Sequence, residues 1–304
     1  MNSGLIRVYT EKMQLLVNLT SHSDSIMRLK LLPNGLLASA SKDRTVKIWN
    51  TTSGKLVITY SGHTEAVFGL EYIGSDVIAS GGNDSSIHIW NMTSGIKINQ
   101  LNAGSNVNVY SLQILSNGIL LSGQTAGYIK AWNLTSGYSF TFPLVHSQTV
   151  TDLLLINNAV LASASLDRTI QIWNLTDNTV IFSLVNHTKA VFGLVNLKQN
   201  NLIASGSSDF TVRIWDWTSG SLTKILSSST GSIYLSIGLF GQDILLSSSR
   251  DKYFKVWHIS SGYLCKTFNS GIHVSALAVI EESKIIPIRL IITCYKYYFT
   301  ILSE

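Results

Sequence analysis

Short stretches of alternating hydrophobic and polar residues recur along the chain, and each of them ends in a tryptophan. Residues 46–49, 87–90 and 212–215 are three such stretches, with β-branched residues at every second position. Alternation with a period of two predicts strands, because successive side chains of a strand point to opposite faces. Helical periodicity is absent from the sequence. The pattern therefore predicts an all-β fold.

The tryptophans that end these stretches are evenly spaced, and polar residues recur with them. The intervals are 41, 42, 41, 42 and 42 residues, between Trp49, Trp90, Trp132, Trp173, Trp215 and Trp257. A serine stands ten residues before each tryptophan, at Ser39, Ser80, Ser122, Ser163, Ser205 and Ser247. An aspartate stands six residues before five of them, at Asp43, Asp84, Asp167, Asp209 and Asp251. A period of this length predicts a repeat architecture.

A second set of positions marks where each unit starts. These positions are His22, His63, Ser105, His146, His187, Ser229 and Ser270, which predict seven units although only six carry the tryptophan. An aliphatic residue follows each of them by four places, and a leucine follows six of them by seven places. A spacing of three cannot keep both side chains on one face of a regular strand. We therefore predict a β-bulge between the two, for example between Ile26 and Leu29.

Each unit is predicted to form four short strands, and such a sheet can bury its hydrophobic face only against a neighbouring unit. The histidine, serine, aspartate and tryptophan at these offsets resemble the WD-repeat (WD40) family over nearly the whole chain. The resemblance implies a seven-bladed β-propeller of four-stranded antiparallel blades. We expect a single propeller over residues 1–304, with the repeats in 21–280 and an atypical last-blade tail in 281–304.

The N-terminal segment is predicted to close the ring. Tyr9 lies 13 residues before His22, as Trp257 lies 13 residues before Ser270. We therefore expect residues 1–20 to supply the closing strands of the last blade, through residues 6–9 and 14–19. Residues 272–280 and the segment after them would supply its inner strands, and residues 298–302 offer a competing third strand.

The resemblance also assigns a structural role to the repeated polar residues, which in the family hydrogen-bond to one another from the indole inward. The predicted network consists of His22, Ser39, Asp43, Trp49, His63, Ser80, Asp84, Trp90, His146, Ser163, Asp167, Trp173, His187, Ser205, Asp209, Trp215, Ser247, Asp251 and Trp257. Histidine, serine and aspartate are also the residue types of a nucleophilic triad. A set that repeats around a ring with an indole in every copy favours the structural role, so we predict no catalytic residue and no enzyme.

Composition and charge narrow the classes of partner. The chain has 22 Lys and Arg against 17 Asp and Glu, with no run of five like charges, which argues against nucleic-acid binding. Cys265 and Cys294 form no CxxC pair, which favours a reducing compartment, and we expect the cytoplasm with the nucleus as the alternative. No membrane span or signal peptide is predicted. The histidines lack metal-ligand spacing and no nucleotide-binding motif is present, so we expect no metal, cofactor or small-molecule ligand.

The resemblance implies a binding face around the mouth of the channel, where partners of WD-repeat proteins commonly dock. The bulge position and the position before the turn aspartate then predict the partner-binding residues Met27, Phe68, Tyr110, Phe192, Tyr234, Lys42 and Arg250. Exposed aromatic clusters of this kind mark interaction sites. In the alternative interpretation the aromatic side chains pack between blades as part of the core.

Three functions are compatible with the repeat pattern and the resemblance. The leading one is a non-catalytic scaffold or adaptor that binds a peptide or protein at the mouth. A substrate receptor of a ubiquitin ligase is the second, although no unit has the arginine that one branch of the family carries two residues after Trp-Asp. A propeller enzyme is the third, with Asp152 and Glu71 as candidate channel carboxylates. The chain would also suit the propeller part of a larger multidomain regulatory protein.

Overall fold

The computed structural model describes residues 4–9, 15–198, 200–227, 231, 237–240, 243–249, 251–269, 290–295 and 298–303. These residues form 28 β-strands and two single-turn 3-10 helices, with no α-helix among them. The predicted all-β fold is confirmed. Within the described residues, no helix has the length and apolar character needed to cross a membrane.

Six antiparallel sheets of four strands, the blades, follow one another along the chain. Blade 1 contains β3 (Ile26–Leu32), β4 (Leu36–Ser41), β5 (Val46–Asn50) and β6 (Leu56–Tyr60). Blade 2 contains β7 (Val67–Gly74), β8 (Val77–Gly82), β9 (Ser86–Asn91) and β10 (Lys97–Asn102). Blade 3 contains β11 (Val109–Ile114), β12 (Ile119–Gln124), β13 (Ile129–Asn133) and β14 (Ser139–Thr141).

The next three blades have the same order of strands. Blade 4 contains β15 (Val150–Asn157), β16 (Val160–Ser165), β17 (Thr169–Asn174) and β18 (Thr179–Val185). Blade 5 contains β19 (Val191–Asn196), β20 (Leu202–Ser207), β21 (Val212–Asp216) and β22 (Ser221–Leu226). Blade 6 contains β23 (Ile237–Phe240), β24 (Ile244–Ser248), β25 (Tyr253–His258) and β26 (Leu264–Asn269). The predicted propeller of four-stranded antiparallel blades is therefore present.

Neighbouring blades bury their faces against each other, and the tryptophan of each blade packs on the blade before it. Trp90 of blade 2 lies in one buried cluster with Val46 and Ile48 of blade 1. Trp215 of blade 5 packs in the same way against Ile170 and Ile172 of blade 4. Burial of apolar surface between modules thus holds the repeat together, because a single blade has no core of its own.

A two-stranded hairpin precedes blade 1. Its strands are β1 (Leu5–Tyr9) and β2 (Leu15–Thr20), close to the predicted closing strands. Ile6, Val8 and Leu19 of this hairpin pack against Trp49. The hairpin thus packs on blade 1 as a preceding blade packs on each of the others.

The rest of the last blade falls largely outside the described residues, which do not include residues 272–280. In the tail, β27 (Leu290–Tyr295) pairs with β28 (Tyr298–Ser303) as a separate antiparallel hairpin. Residues 298–302 are therefore a strand, as expected, but their partner is the strand just before them. The seventh blade and the division of the chain at residues 20 and 280 stay predictions.

The first strands of blades 1 to 5 carry the predicted β-bulge. The register between β3 and β4 shifts between Ile26 and Arg28, so Met27 has no partner in the ladder. The same shift occurs in four further blades, where it leaves out Phe68, Tyr110, Thr151 and Phe192. In the sixth unit the corresponding positions lie outside the described residues. The bulge is confirmed in blades 1 to 5.

Candidate partner-binding mouth

Two kinds of connection meet at one end of blades 1 to 5, and blade 6 has the second kind. The entry loops precede the first strands and comprise residues 21–25, 61–66, 103–108, 142–149 and 186–190. The mouth turns join the second and third strands and comprise residues 42–45, 83–85, 125–128, 166–168, 208–211 and 249–252, with residue 250 not described. In blade 1 the Lys42 N–H donates to the Ser25 carbonyl at 2.9 Å, so turn and loop lie side by side. We call this end of the propeller the mouth.

Beneath the mouth of blade 1, buried polar side chains form a linear network. The indole N–H of Trp49 donates to Ser39 Oγ at 2.8 Å. His22 lies 2.7 Å from Ser39 Oγ through Nε2 and 2.7 Å from Asp43 Oδ2 through Nδ1. Since the carboxylate can only accept, Nδ1 carries the proton and Nε2 accepts from the serine hydroxyl. Every polar atom of the network therefore has a partner.

The same network recurs in blades 2, 4 and 5. Indole N–H groups donate to Ser80, Ser163 and Ser205 at 3.2, 2.8 and 2.8 Å. The paired histidines and aspartates are His63 with Asp84, His146 with Asp167 and His187 with Asp209, at 2.7, 2.9 and 2.7 Å. In blade 6, Trp257 donates to Ser247 at 2.8 Å, and Asp251 pairs with Lys255 at 3.0 Å.

The network fixes the loops of the mouth. Besides His22, Asp43 accepts the backbone N–H of Ser23 at 3.0 Å and that of Thr45 at 3.0 Å. Burial opposes ionisation of Asp43, but hydrogen bonds from Thr45 and His22 outweigh it and hold the pKa of Asp43 below its ordinary value. Burial lowers the pKa of His22. The pair is thus a neutral imidazole and an ionised carboxylate that ties the entry loop to the mouth turn.

Burial of the serine excludes the triad chemistry that its residue types suggest. Ser39 is fully buried, and its oxygen already interacts with both His22 and Trp49. A nucleophile must reach its substrate, whereas this hydroxyl cannot be approached without opening the blade. The serines of blades 2, 4 and 5 are equally buried.

Blade 3 has neither the histidine nor the aspartate, and a residue that sequence reasoning missed takes part of their place. The Gln124 side-chain amide donates to Ser122 Oγ at 2.8 Å, and the Trp132 indole donates to the same oxygen at 2.9 Å. Gln124 is buried. The available signal was a glutamine at a position where the other units have serine or glycine. Blade 3 keeps a serine with two donors but lacks a carboxylate that joins its loops.

Blade 2 contains a second histidine that brings three possible metal ligands together. Atoms of His63, Asp84 and His88 lie within 4.8 Å of one another. The two imidazole rings are stacked, with centroids 4.0 Å apart and planes inclined by 11°. A metal ion lies near the plane of each imidazole that binds it, and two rings stacked face to face do not direct their nitrogen lone pairs at one point. His88 is instead hydrogen-bonded to the Tyr60 hydroxyl at 2.8 Å and to Ser86 at 3.0 Å.

Phe68, Tyr110 and Phe192, three of the aromatic residues predicted for the mouth, lie at bulges and are half-buried. The rings of Phe68 and Tyr110 are in contact, with centroids 4.9 Å apart. Met27 and Phe192 are half-buried at the equivalent positions. Thr151 differs, because it is buried and its hydroxyl donates to the Val191 carbonyl of blade 5 at 2.6 Å. The bulge thus places large apolar side chains at the mouth of blades 1, 2, 3 and 5.

Of the two basic residues predicted for the mouth, Lys42 is among the described residues and Arg250 is not. Lys42 is exposed in the mouth turn of blade 1. Arg250 lies outside the described residues, as does Tyr234, so the contribution of the sixth unit stays a prediction.

Two ion pairs join the first strand of blade 1 to the first strands of blades 2 and 4. Arg28 Nη1 in β3 of blade 1 lies 2.8 Å from Asp152 Oδ1 in β15 of blade 4. Lys30 Nζ lies 2.8 Å from Glu71 Oε2 on the neighbouring blade. Burial raises the pKa of Glu71, although Lys30 opposes this shift. Both carboxylates considered for an enzyme are therefore paired with a cation from blade 1.

Comparison with known proteins agrees with this geometry. Comparison with curated proteins gives no significant match. A similar solved structure is the crystal structure of the computationally designed Ika8 protein, with a TM-score of 0.73 and 25% identity over 92% of this chain and 86% of that one. The family model of the WD domain, G-beta repeat (WD40), matches residues 13–50, 54–91, 138–174 and 178–216, which together are half of the chain. The chain therefore belongs to the WD40 family, whose propellers generally act as protein-interaction scaffolds.

Proposed function

We propose that this propeller is a non-catalytic scaffold that binds a peptide or protein segment at its mouth. The observation that carries the proposal is the bulge, which removes Met27, Phe68, Tyr110 and Phe192 from their ladders at the same end of the blades. Large apolar groups held at such a place supply binding energy when a partner covers them.

The rigidity of the mouth supports this proposal. In blades 1, 2, 4 and 5 an ionised aspartate accepts a backbone N–H from the entry loop, at 3.0 Å for Asp43 and Ser23. Loops fixed in this way lose little conformational freedom when a ligand binds, which favours affinity. The buried serines and the paired channel carboxylates support a role without catalysis. No described contact bears on a ubiquitin-ligase role, which stays a prediction.

The test compares the partners captured by the native chain and by a variant with Phe68→Ala, Tyr110→Ala and Phe192→Ala. A matched control carries Tyr138→Ala and Tyr263→Ala, since these rings are 67% and 56% exposed in turns at the opposite end of their blades. Partners identified by quantitative mass spectrometry are then titrated with the purified proteins. We expect the mouth variant to bind about tenfold or more weakly and the control to bind normally.

The proposal fails if the mouth variant, with an unchanged melting temperature, retains every partner at native affinity. It also fails if the control variant loses the same partners to the same extent, because loss would then reflect exposed aromatic residues in general.

A further inference from the structure

The mouth turns surround the bulge residues at close range. In blades 2, 4 and 5 the turn donates a backbone N–H to the entry loop, from Asn83 to Ala66, from Leu166 to Thr149 and from Ser208 to Ala190, at 2.9, 3.0 and 2.9 Å. The bulge residue follows two positions after that carbonyl. A ligand that contacts the bulge residues must therefore also pass the turns.

The tip of each mouth turn has a left-handed backbone. The residue after the turn aspartate has φ of 72° at Arg44, 61° at Ser85, 76° at Arg168, 71° at Phe210 and 71° at Lys252. Blade 3 has Gly127 at the equivalent position, with φ of 84°. Side chains with a Cβ disfavour this region, so glycine is the unstrained choice. Long cationic side chains nevertheless occupy it in blades 1, 4 and 6.

Exposed cations outnumber exposed acids at the described part of the mouth. Among the mouth turns and entry loops, the exposed cations are Lys42, Arg44, Arg168, Lys189 and Lys252, and the exposed acids are Asp24 and Glu65. The turn aspartates are ionised but turned inward; for example, 6% of the Asp43 side chain is exposed. The charge offered to a ligand is therefore mainly positive.

The cations and the aromatic pair occupy different sectors. Phe68 and Tyr110 lie on blades 2 and 3, whose described turns and entry loops contain no exposed cation. Lys189 Nζ on blade 5 lies 5.0 Å from the ring centroid of Phe210, which is itself at a left-handed tip. The mouth thus has one apolar sector, with cations along the rest of its described rim.

We propose that the ligand is an acidic segment of a partner protein, an inference that rests on the proposed function of the mouth. A bulky apolar side chain of the segment contacts Phe68 and Tyr110, and its carboxylates lie near Arg44, Arg168 and Lys189. Charge complementarity carries this choice, since opposite charges steer association and fix the orientation of a bound chain. A nucleic acid is less suitable, because the described turns and entry loops beside Phe68 and Tyr110 have no exposed cation to neutralise a continuous row of phosphates.

Substitutions at the turn tips separate the effect of charge from the effect of backbone strain. Arg44→Gly with Arg168→Gly removes two cations and relieves two left-handed residues. Ser85→Gly relieves the same strain at the same position of blade 2 and removes no charge. Neither change is expected to harm the fold, so a difference in binding between the two variants reports on charge.

The probe is a phage-displayed library of random twelve-residue peptides, selected on the native chain. We expect the selected peptides to be enriched in Asp and Glu beside Leu, Phe or Trp. A selected peptide should bind Arg44→Gly/Arg168→Gly about tenfold more weakly at low salt, bind Ser85→Gly normally, and lose affinity as salt increases. Fluorescence anisotropy measures each affinity, with a single-stranded 20-nucleotide DNA as the competing class of ligand.

Selection of no peptide, or of peptides without acidic enrichment, overturns the inference, and so does equal binding by the two variants. Tighter binding of the DNA than of any peptide overturns it in favour of a nucleic-acid surface. If native partners depend on Phe68 and Tyr110 but not on Arg44 and Arg168, the mouth remains the binding site and only the acidic ligand is wrong. If partners depend on neither pair, the proposed function fails as well.

Discussion

Arg28 and Asp152 form an ion pair, with Nη1 and Oδ1 2.8 Å apart, although they belong to the first and fourth blades. The second carboxylate oxygen of Asp152 accepts the backbone N–H of Leu194 in blade 5 at 2.9 Å. One carboxylate therefore joins three blades. The side chains are 18% and 8% exposed, so this pair is weakly screened by solvent.

Arg28→Ala should lower the free energy of unfolding by about 3 to 5 kcal/mol, because it leaves Asp152 charged and without its cation in a buried place. Arg28→Met combined with Asp152→Asn should regain most of the loss, since the amide oxygen can still accept from Leu194. Urea denaturation measures both variants. Equal losses for the single and the double variant would show that the charge is not the cause.

Lys30→Met serves as a comparison for that experiment. Burial already raises the pKa of Glu71, the partner of Lys30, so this carboxyl can take up a proton when its cation is removed. We expect a smaller loss of stability than for Arg28→Ala, with the difference shrinking as the pH is raised, because Glu71 then gives up that proton.

In blade 3, Ser122 should matter more than Gln124. Ser122→Ala leaves the buried donors of Gln124 and Trp132 without their acceptor, whereas Gln124→Ala removes one donor and leaves the other paired. Each unpaired buried donor costs about 1 to 3 kcal/mol. Denaturant titration of the two variants should rank Ser122→Ala as the less stable, and the reverse order would contradict the assigned hydrogen bonds.

Unfolding is expected to begin around blade 3. This blade lacks the histidine and aspartate that join entry loop to mouth turn in blades 1, 2, 4 and 5, and Ser111 Oγ in β11 is buried without a hydrogen-bond partner. Native-state hydrogen exchange should show weaker protection of β12 and β13 than of β16 and β17 in blade 4. The idea is wrong if blade 3 proves to be the best protected of the described blades.

Acid should destabilise blade 2 through His88. Burial, and next the neighbouring His63, lower the pKa of His88 from 6.5 to about 4, with Lys97 acting in the same direction and Asp84 opposing. The unfolded chain then binds the proton more readily, so His88 contributes stability above pH 6.5 that is lost as the pH falls towards 4. Tyr60, whose pKa burial raises to about 12, stays neutral throughout.

His88→Gln should weaken this pH dependence, and Gln171 shows that glutamine suits the equivalent place in blade 4. The native chain should lose about 1 to 3 kcal/mol more than the variant between pH 6.5 and 4. Burial also lowers the pKa values of His22 and His187, but these two histidines contribute the same pH dependence of stability to both proteins. Parallel stability curves for the two proteins would rule out His88 as the acid-sensitive group.

The sequence was most informative where a contact follows from a regular offset. The spacing of Ile26 and Leu29 was enough to predict the bulge, because side-chain alternation leaves no other way to put both on one face. The positions of histidine, serine and tryptophan likewise follow the repeat. Such features depend only on neighbouring strands of one blade.

The contacts that sequence reasoning missed are those that depend on the ring or on the backbone. Arg28 and Asp152 occupy the same slot of two repeats, 124 residues apart, but the repeat spacing does not show that side chains three blades apart meet. The left-handed tips at Arg44 and Arg168 are set by hydrogen bonds of the turn, for instance from the Thr45 N–H to Asp43, rather than by the residues themselves. Gln124 was missed because it occupies a position that is otherwise occupied by small residues.

The bulge also determines where the first strand tolerates a change in length. Ile26, Arg28 and Leu29 pair with consecutive residues of β4, so deletion of Met27 would leave these pairings intact. Deletion of Leu29 would instead bring a charged residue, Arg28 or Lys30, to the place of Leu29 opposite Ser39. A lineage can therefore gain or lose a mouth side chain by a single-codon insertion or deletion while the interior of the blade keeps its alignment.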